Sequence, residues 1–512
     1  MPIKIRELIV QNILIPFALL AIGLSLRLSL IGKGFYHPDN LFLAIQAEKI
    51  LATHQMHYLH LVGYPLTALL GALFLKIGQL LGITDPAFSI NSMSVVFNSL
   101  TIVVFYFLIK KIFDPLTALL SAAIILVHPV SLATSVFGNS HAPSLFFFFT
   151  GLYLLHLSRF YGKTVRANIY LWFSAVCAGC MIAARPQNII LLIPFSYIFW
   201  IRIHPESVIS PVLSKIKKFF TFLAITTVTV LLLFGPLLLS QPGLTAHHQS
   251  FESLLRQVLP NMDTLPLWLT LRHILLTFTP LGTIFIVLGL ATVLHKSLRL
   301  FAFILCLALP LWLFYGCFLT YVPRYTQGTV IALTIPIGYF LARQMEKSRQ
   351  RQVGGAVFYC LLLFLLFARI SHTLLFRHQN DVMKDFGLWV KEQTRPESII
   401  ICQDMSAIIR HFSGRETRNP PVIKFAHRTY GSEDAKRIEA ELATLRAILI
   451  KGIPLYVTRS ALMAYDPKQH FFKALQREYH VELIGEAIME DWHPGVLDLY
   501  FYREGLYEIF LR

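Results

Sequence analysis

"RLSLIGKGFYHPDN" (residues 27–40) lies where a long apolar run of the chain ends. The run, at about residues 8–31, is long enough to cross the hydrocarbon core of a bilayer as one helix. Asp39 stands just outside the run and is one of only nine acidic residues before residue 373. A carboxylate placed immediately outside a membrane span is a candidate for chemistry at the membrane surface.

The composition extends this interpretation to most of the chain. Of 512 residues, 55% are hydrophobic and only 14% are charged, which indicates an integral membrane protein. The net charge of +17 arises entirely before residue 373, where 26 basic residues face 9 acidic ones; the remainder has 19 of each. The positive charge therefore belongs to the membrane part and does not indicate a nucleic-acid partner.

Apolar windows predict about eleven transmembrane helices. They lie at about 8–31, 88–109, 115–132, 142–158, 168–184, 187–203, 219–240, 270–294, 300–319, 326–342 and 354–372. Alternate connections carry 17 basic residues on one side and 7 on the other. The positive-inside rule then places the N-terminus in the cytoplasm. The first span has no small-residue cleavage site, so we expect it to be retained. An odd number of spans puts the C-terminal region outside.

The apolar stretch 64–82 is interpreted as a helix on the membrane surface. Counting it as a span would place Lys110 and Lys111 outside, against the charge bias. Lys76, Gln79 and the glycines of this stretch suit an amphipathic surface helix. Within a membrane domain at 1–372, the first outer loop, about 32–87, is thus predicted to hold surface helices near 40–53 and 64–81.

Residues 373–512 predict a soluble α/β domain on the outer side of the membrane. Four segments have the composition of strands: 398–402, 454–458, 481–485 and 497–502. The segment 432–450 predicts an amphipathic helix, and 414–421 predicts a loop.

Local sequence leaves two interpretations of Asp39 open. Its carboxylate is either a catalytic group or the N-cap of a helix that begins at Asn40. His37 lies beside it as a supporting candidate. Glu48 is nine residues further on, half a turn away around the same helix, and is a poor second member of a carboxylate pair.

Other polar residues of the membrane part are weaker candidates. Arg27, near the outer end of the first span, needs an anionic or polar partner unless it reaches the membrane surface. His54, His57 and His60 recur at three-residue spacing, but a metal site is less favoured than interfacial histidines, because no carboxylate ligand lies nearby.

Two arginines lie at outer ends of predicted spans, each beside a proline: Arg185 in "AARPQN" (183–188) and Arg324 in "YVPRYTQG" (321–328). A guanidinium offers paired donors to phosphoryl oxygens, so both are candidate phosphate ligands. The alternative is a pair of interface anchors, with Tyr321 and Tyr325 in an aromatic belt.

Taken in order, several segments resemble the landmarks of GT-C superfamily glycosyltransferases, above all the bacterial relatives of protein O-mannosyltransferases and of the lipid A aminoarabinose transferase. The resemblance covers roughly residues 8 to 345. It rests on "RLSLIGKGFYHPDN", "GYPLTALLGALFLKIG", "FYFLIKKIFDPLTALLSAAIILVHP", "AARPQNIILLIP" and "VPRYTQGTVIALTIP".

This resemblance implies an inverting transfer of a sugar from a polyprenyl-phosphate donor to a glycolipid, glycan or protein acceptor. The transfer would take place on the periplasmic face of a bacterial inner membrane. The resemblance implies that Asp39 is the base. Arg324 and Arg185 would stabilise the donor phosphate, and His141 is a further candidate contact.

The sequence departs from the family pattern in two places. Asn40 follows Asp39 where many relatives have Glu, and Asn139 and His141 stand where many have a second acid. No cofactor is therefore implied with certainty, and the missing acids disfavour a divalent metal. Two other function classes stay open: a transporter or lipid flippase, and a non-catalytic binder of lipid-linked sugar. The absence of obvious inverted halves argues against transport.

Overall fold

The computed structural model describes residues 9–56, 64–161, 164–201, 212–239, 264–318, 323–403, 405–421, 432–463, 468–490 and 497–512. The chain forms two compact units. The first comprises Met1–Gly32, Leu43–His378 and Val496–Asp498, and the second comprises Lys33–Phe42, Gln379–Gly495 and Leu499–Arg512. Asp39 thus belongs to the second unit.

The described part of the chain up to residue 379 contains helices and no strands. In order these are α1 (Ile15–Leu28, preceded by a π-helical turn at Val10–Leu14), α2 (Pro38–Thr53), α3 (Pro65–Leu80), α4 (Pro86–Ile112), α5 (Pro115–Val127), α6 (Pro129–Ser135), α7 (His141–Tyr161), α8 (Val165–Ala184), α9 (Leu192–Trp200), α10 (Val212–Leu239), α11 (Thr264–Thr277), α12 (Thr279–Lys296), α13 (Leu298–Phe318), α14 (Gln327–Met345) and α15 (Arg349–Gln379).

Among the described residues, seven helices are long and apolar enough to cross a membrane, or eight if the bent pair α5 and α6 is one span. The predicted polytopic helical membrane fold is confirmed, whereas the number of eleven spans stays a prediction. The two helices predicted in the first outer loop form as α2 and α3. At 16 residues, α3 is about 24 Å long, less than the hydrocarbon core of about 30 Å.

The prediction of one span at 270–294 is wrong, because two helices, α11 and α12, occupy this segment. The break falls at Thr279, whose φ of +65° lies in the left-handed region. This conformation is unfavourable for a β-branched side chain. Thr279 precedes Pro280, and a residue before proline is disfavoured in the helical region. The Thr-Pro pair was the sequence signal for this break.

A similar break separates α5 from α6, at His128 before Pro129, and bends the pair by 59°. The His128 ring lies with its centroid 4.4 Å from that of Phe278. Its Nε2 atom is 3.4 Å from the Thr277 hydroxyl. The two proline-associated breaks therefore pack against each other.

The second unit contains a five-stranded sheet of order β2-β1-β3-β5-β4. The strands are β1 (Ile399–Ile401), β2 (Glu416–Arg418), β3 (Leu455–Thr458), β4 (Tyr479–Glu490) and β5 (Phe501–Leu511). The helices are α16 (Val382–Gln393), α17 (Ser406–Ser413), α18 (Ser432–Ile450), α19 (Arg459–Met463) and α20 (His470–Glu478).

This sheet is mixed: β1 pairs in parallel with β2 and β3, while β5 pairs antiparallel with β3 and β4. Ile438, Leu442 and Leu445 of α18 are buried in the core of the unit, at the spacing of one helix face. The predicted α/β character is confirmed. Two details are wrong: the expected loop 414–421 contains β2, and the last strand begins at Phe501 and not at residue 497.

In the first unit, α14 packs closely on two neighbours through glycines. A Cβ atom on Gly289 of α12 would lie 2.1 Å from the carbonyl oxygen of Pro336. A Cβ atom on Gly338 would lie 2.8 Å from the carbonyl oxygen of Thr117 in α5. Both obstacles are backbone atoms, so the helices approach this closely only because the residues are small.

We predict that Gly289→Ala destabilises the protein by about 1–3 kcal/mol, the usual cost of overpacking. Thermal unfolding of the purified protein in detergent measures the effect. Gly354→Ala in α15 is the matched control, because no atom lies within 4 Å of its Cβ position and alanine is the better helix former. Equal melting temperatures for the two variants would contradict the close approach of α12 and α14.

Candidate functional site

Three segments of irregular backbone carry the candidate site in the first unit. Arg185 directly follows α8, and Pro186 opens a short 3-10 helix after it. Arg324 lies in the 3-10 helix Pro323–Thr326, immediately before α14. Residues 136–140 connect α6 to α7. Proline ends or redirects the helix in the first two cases, because it cannot donate a backbone hydrogen bond.

Arg185 is only 5% exposed. Its Nη1 donates to the Ser140 hydroxyl at 2.8 Å, and its Nε donates to the Tyr315 hydroxyl at 3.2 Å. Its guanidinium carbon lies 5.8, 5.9 and 5.1 Å from the ring centroids of Tyr64, Tyr315 and Tyr325. Within the described ranges no carboxylate pairs with Arg185. Its contacts are neutral groups, and the aromatic faces offset only part of the cost of burying the charge.

Arg324 is 6% exposed and meets the same aromatic cluster. Its guanidinium carbon lies 5.1 Å from the Tyr325 ring centroid. The Tyr325 ring stacks on Tyr315 at 4.8 Å and on His141 at 5.5 Å. Both guanidiniums thus lie beside one tyrosine ring. The structure brings Arg185, Arg324 and His141, proposed separately from sequence, into one cluster.

This arrangement differs from the aromatic belt considered for Tyr325. The ring is half-buried and packs on protein groups. Tyr321, the other residue proposed for the belt, lies outside the described residues.

His141 is the first residue of α7 and is 5% exposed. Its Nε2 atom is buried and has no hydrogen-bond partner in the described part of the chain. Asn139 caps this helix, because its Oδ1 accepts from the backbone N–H groups of His141 and Ala142 at 3.0 and 3.2 Å. Its Nδ2 donates to the carbonyl groups of Thr134 and Phe137. The Asn139 amide is therefore fully engaged in local structure.

In the second unit, Asp39 is not the N-cap of its helix. α2 begins at Pro38, and the backbone N–H of Asp39 donates to His37 Nδ1 at 3.0 Å. The His37 carbonyl accepts from the N–H groups of Asn40 and Leu41. His37 is thus the cap, and the cap interpretation of Asp39 is wrong. The Asp39 side chain is 42% exposed, with Oδ2 3.4 Å from His37 Nδ1.

Arg27 and Glu48 have no described contact with the cluster. Arg27 is fully buried and donates to the Gly23 carbonyl and the Ser131 hydroxyl, at 3.3 and 3.5 Å. Of the two alternatives for Arg27, the structure shows the polar partner. Glu48 is exposed on α2. His60 lies outside the described residues, as does His57.

No group of three His, Cys, Asp or Glu residues in the described ranges is arranged to hold a metal ion.

Sequence reasoning missed several residues of the cluster. Tyr64, Tyr315 and Ser140 are single polar residues in separate segments, and no spacing links them. A further set did have a signal: Asn91, Ser94 and Asn98 interrupt the apolar sequence of α4 at helical spacing.

A family model for dolichyl-phosphate-mannose-protein mannosyltransferase matches residues 65–239, which include His141 and Arg185. None of the curated proteins matches the chain. The structure is similar to ArnT from Cupriavidus metallidurans in the apo state, with a TM-score of 0.59, 12% identity and 97% of each chain covered.

It is also similar to ArnT from the same organism bound to undecaprenyl phosphate, with a TM-score of 0.57, 12% identity and 97% of each chain covered. A third similar structure is the archaeal oligosaccharyltransferase AglB from Archaeoglobus fulgidus in complex with an inhibitory peptide and a dolichol-phosphate. Its TM-score is 0.59 at 12% identity, covering 95% of this chain and 74% of AglB. The resemblance is thereby confirmed: this integral membrane protein has the fold of the GT-C superfamily of glycosyltransferases, with a small α/β unit.

Proposed function

We propose that the protein is an inverting glycosyltransferase that moves a sugar from a polyprenyl-phosphate donor to a glycolipid, glycan or protein acceptor. The reaction takes place on the periplasmic side of a bacterial inner membrane, where the positive-inside rule puts the outer loops. The observation that carries this proposal is Arg185, a buried cation whose described contacts include no carboxylate. An anionic ligand would balance that charge.

The chemistry of the cluster favours a phosphoryl group as that anion. A guanidinium presents paired donors in a plane, which match the oxygens of a phosphate. Arg324 adds a second guanidinium beside the same ring. Tyr64, Tyr315 and Tyr325 add apolar faces and hydroxyl groups. The similar structures contain undecaprenyl phosphate in ArnT and dolichol-phosphate in AglB, which supports a polyprenyl phosphate as the ligand class.

In the proposed reaction Asp39 acts as the general base. It takes the proton of an acceptor hydroxyl while that oxygen attacks the anomeric carbon of the donor sugar. The bond from the anomeric carbon to the phosphate oxygen breaks, and the polyprenyl phosphate leaves with the bonding electrons. Attack opposite to the leaving group inverts the anomeric configuration. Because His37 caps α2, helix formation does not require the Asp39 carboxylate.

Arg185 and Arg324 would stabilise the negative charge that develops on the leaving phosphate, since preorganised cations lower the barrier for charge separation. Asn139 stands where many relatives carry a second acid, and its amide is occupied as a helix cap. We therefore propose that the arginines supply the positive charge that a divalent metal would otherwise supply.

We predict that Asp39→Asn reduces sugar transfer by about 10²–10⁴-fold, the usual contribution of a general base. Asp385→Asn is the matched control, because Asp385 is also an acidic residue in the first turn of a helix in the second unit. Cells lacking the protein are complemented with each variant, and their surface glycolipids and glycoproteins are compared by mass spectrometry. Restoration of the missing glycan by Asp39→Asn would refute the proposed role.

We predict that Arg185→Ala weakens binding of undecaprenyl phosphate by about 10- to 100-fold, since hydrogen bonds to charged groups contribute about 1.5–3 kcal/mol. Arg185→Lys should lie between, because lysine lacks the planar fork. Calorimetry on the protein in detergent measures the dissociation constant.

Arg343→Ala is the control for this measurement. Arg343 also stacks on a tyrosine, with its guanidinium carbon 4.9 Å from the Tyr339 centroid, but it pairs with Asp114 and Glu346. Its removal should leave the dissociation constant unchanged. Equal affinity of wild type and Arg185→Ala would exclude Arg185 from the phosphate site.

A further inference from the structure

α4 carries three buried polar side chains on one face: Asn91, Ser94 and Asn98, which we term the polar stripe. Their exposed fractions are 0%, 0% and 2%. Spacings of three and four residues align them along the helix. Polar side chains are costly inside a membrane bundle unless they have partners. Each member of the stripe has at least one partner outside α4.

Asn91 joins two segments of the first unit. Its Nδ2 donates to the carbonyl of Gly32 at 3.0 Å, and its Oδ1 accepts from the N–H of Gly138 at 2.8 Å. A backbone hydrogen bond from Gly32 to the Val136 carbonyl, 3.0 Å long, reinforces the connection. The end of the first membrane helix is therefore held against residues 136–140. Seven positions after Gly32 the chain reaches Asp39.

Ser94 holds the next residue of that segment. Its hydroxyl accepts from the backbone N–H of Asn139 at 3.1 Å. Asn139 caps α7 at His141, and the intervening Ser140 accepts from Arg185. The position of Asn139 thus fixes two residues that contact the arginine cluster.

Asn98 holds the third segment. Its Oδ1 accepts from Gln327 Nε2 at 2.8 Å, and Gln327 is fully buried. Its Nδ2 donates to the Ser94 carbonyl within α4. Gln327 opens α14 directly after the turn that carries Arg324 and Tyr325. Asn98 therefore holds Gln327, the first residue of α14, next to the turn that carries Arg324.

We infer that the polar stripe is the positioning element of the arginine cluster. The stripe sets the position of the segment with Ser140 and His141 relative to the segment with Arg324 and Tyr325. Irregular backbone in a membrane bundle needs hydrogen-bond partners from the protein itself. Asn91 and Ser94 provide such partners to backbone groups, and Asn98 bonds to the side chain of Gln327. The inference rests on the proposed function for the identity of the ligand only.

The test compares Ser94→Ala, Ser94→Thr and Asn98→Leu in the full-length protein in nanodiscs. Thr101→Val is the matched control, because the Thr101 hydroxyl is buried on α4 but bonds only to the Phe97 carbonyl of its own helix. Hydrogen exchange followed by mass spectrometry reports on residues 136–142 and 324–330. Calorimetry gives the dissociation constant of undecaprenyl phosphate.

We expect Ser94→Ala to speed exchange in 136–142, Asn98→Leu to speed exchange in 324–330, and each to raise the dissociation constant about tenfold. Ser94→Thr, which keeps the hydroxyl, and Thr101→Val should resemble wild type. Unchanged exchange in both segments would overturn the inference, and so would faster exchange with unchanged affinity.

If the wild-type protein does not bind undecaprenyl phosphate, the proposed function fails, and exchange alone then decides the inference. Segment-specific acceleration, restored by Ser94→Thr, would support it. Acceleration spread over the whole first unit would overturn it.

Discussion

Backbone polar groups inside a membrane protein must be satisfied by the protein itself, because the bilayer core offers no water. In this chain the constraint applies to residues 136–140, which connect α6 to α7 without helical hydrogen bonds of their own. Asn91 and Ser94 of α4 accept from the N–H groups of Gly138 and Asn139. Asn91 and Ser94, two polar residues of α4, are thus explained by the irregular segment that they support. Ser140 of that segment accepts a hydrogen bond from Arg185.

The resulting cluster brings two buried guanidiniums to one tyrosine ring, and the described contacts of Arg185 are neutral groups. Two other arginines of the first unit have carboxylate partners: Arg343 pairs with Asp114, and Arg369 pairs with Asp498. Arg185 has two hydroxyl groups and aromatic rings around it instead. Arg185 is a buried arginine whose described contacts include no carboxylate, and this supports the proposal that it binds an external anion.

Sequence predicted the helices well, because span length and apolar composition are local properties that the bilayer dictates directly. It missed the helix break at Thr279, where the following proline disfavours the helical conformation of the residue before it. It also missed β2, a three-residue strand that is defined by its pairing with β1. It identified Arg185, Arg324 and His141 individually. Their contacts with Tyr325, and the contact of Arg185 with the Tyr64 ring, depend on tertiary packing. The segments involved are far apart in sequence, and no periodic pattern links them.

The proposed function requires Arg185 and Arg324 to bind the phosphate of a polyprenyl-phosphate donor. An electron cryo-microscopy structure of the protein with undecaprenyl phosphate tests it most directly. We expect phosphate density within hydrogen-bonding distance, about 3 Å, of both guanidinium groups, with the prenyl chain in an apolar groove between the helices. A well-resolved phosphate elsewhere, with Arg185 still contacting only Ser140 and the tyrosines, would contradict it.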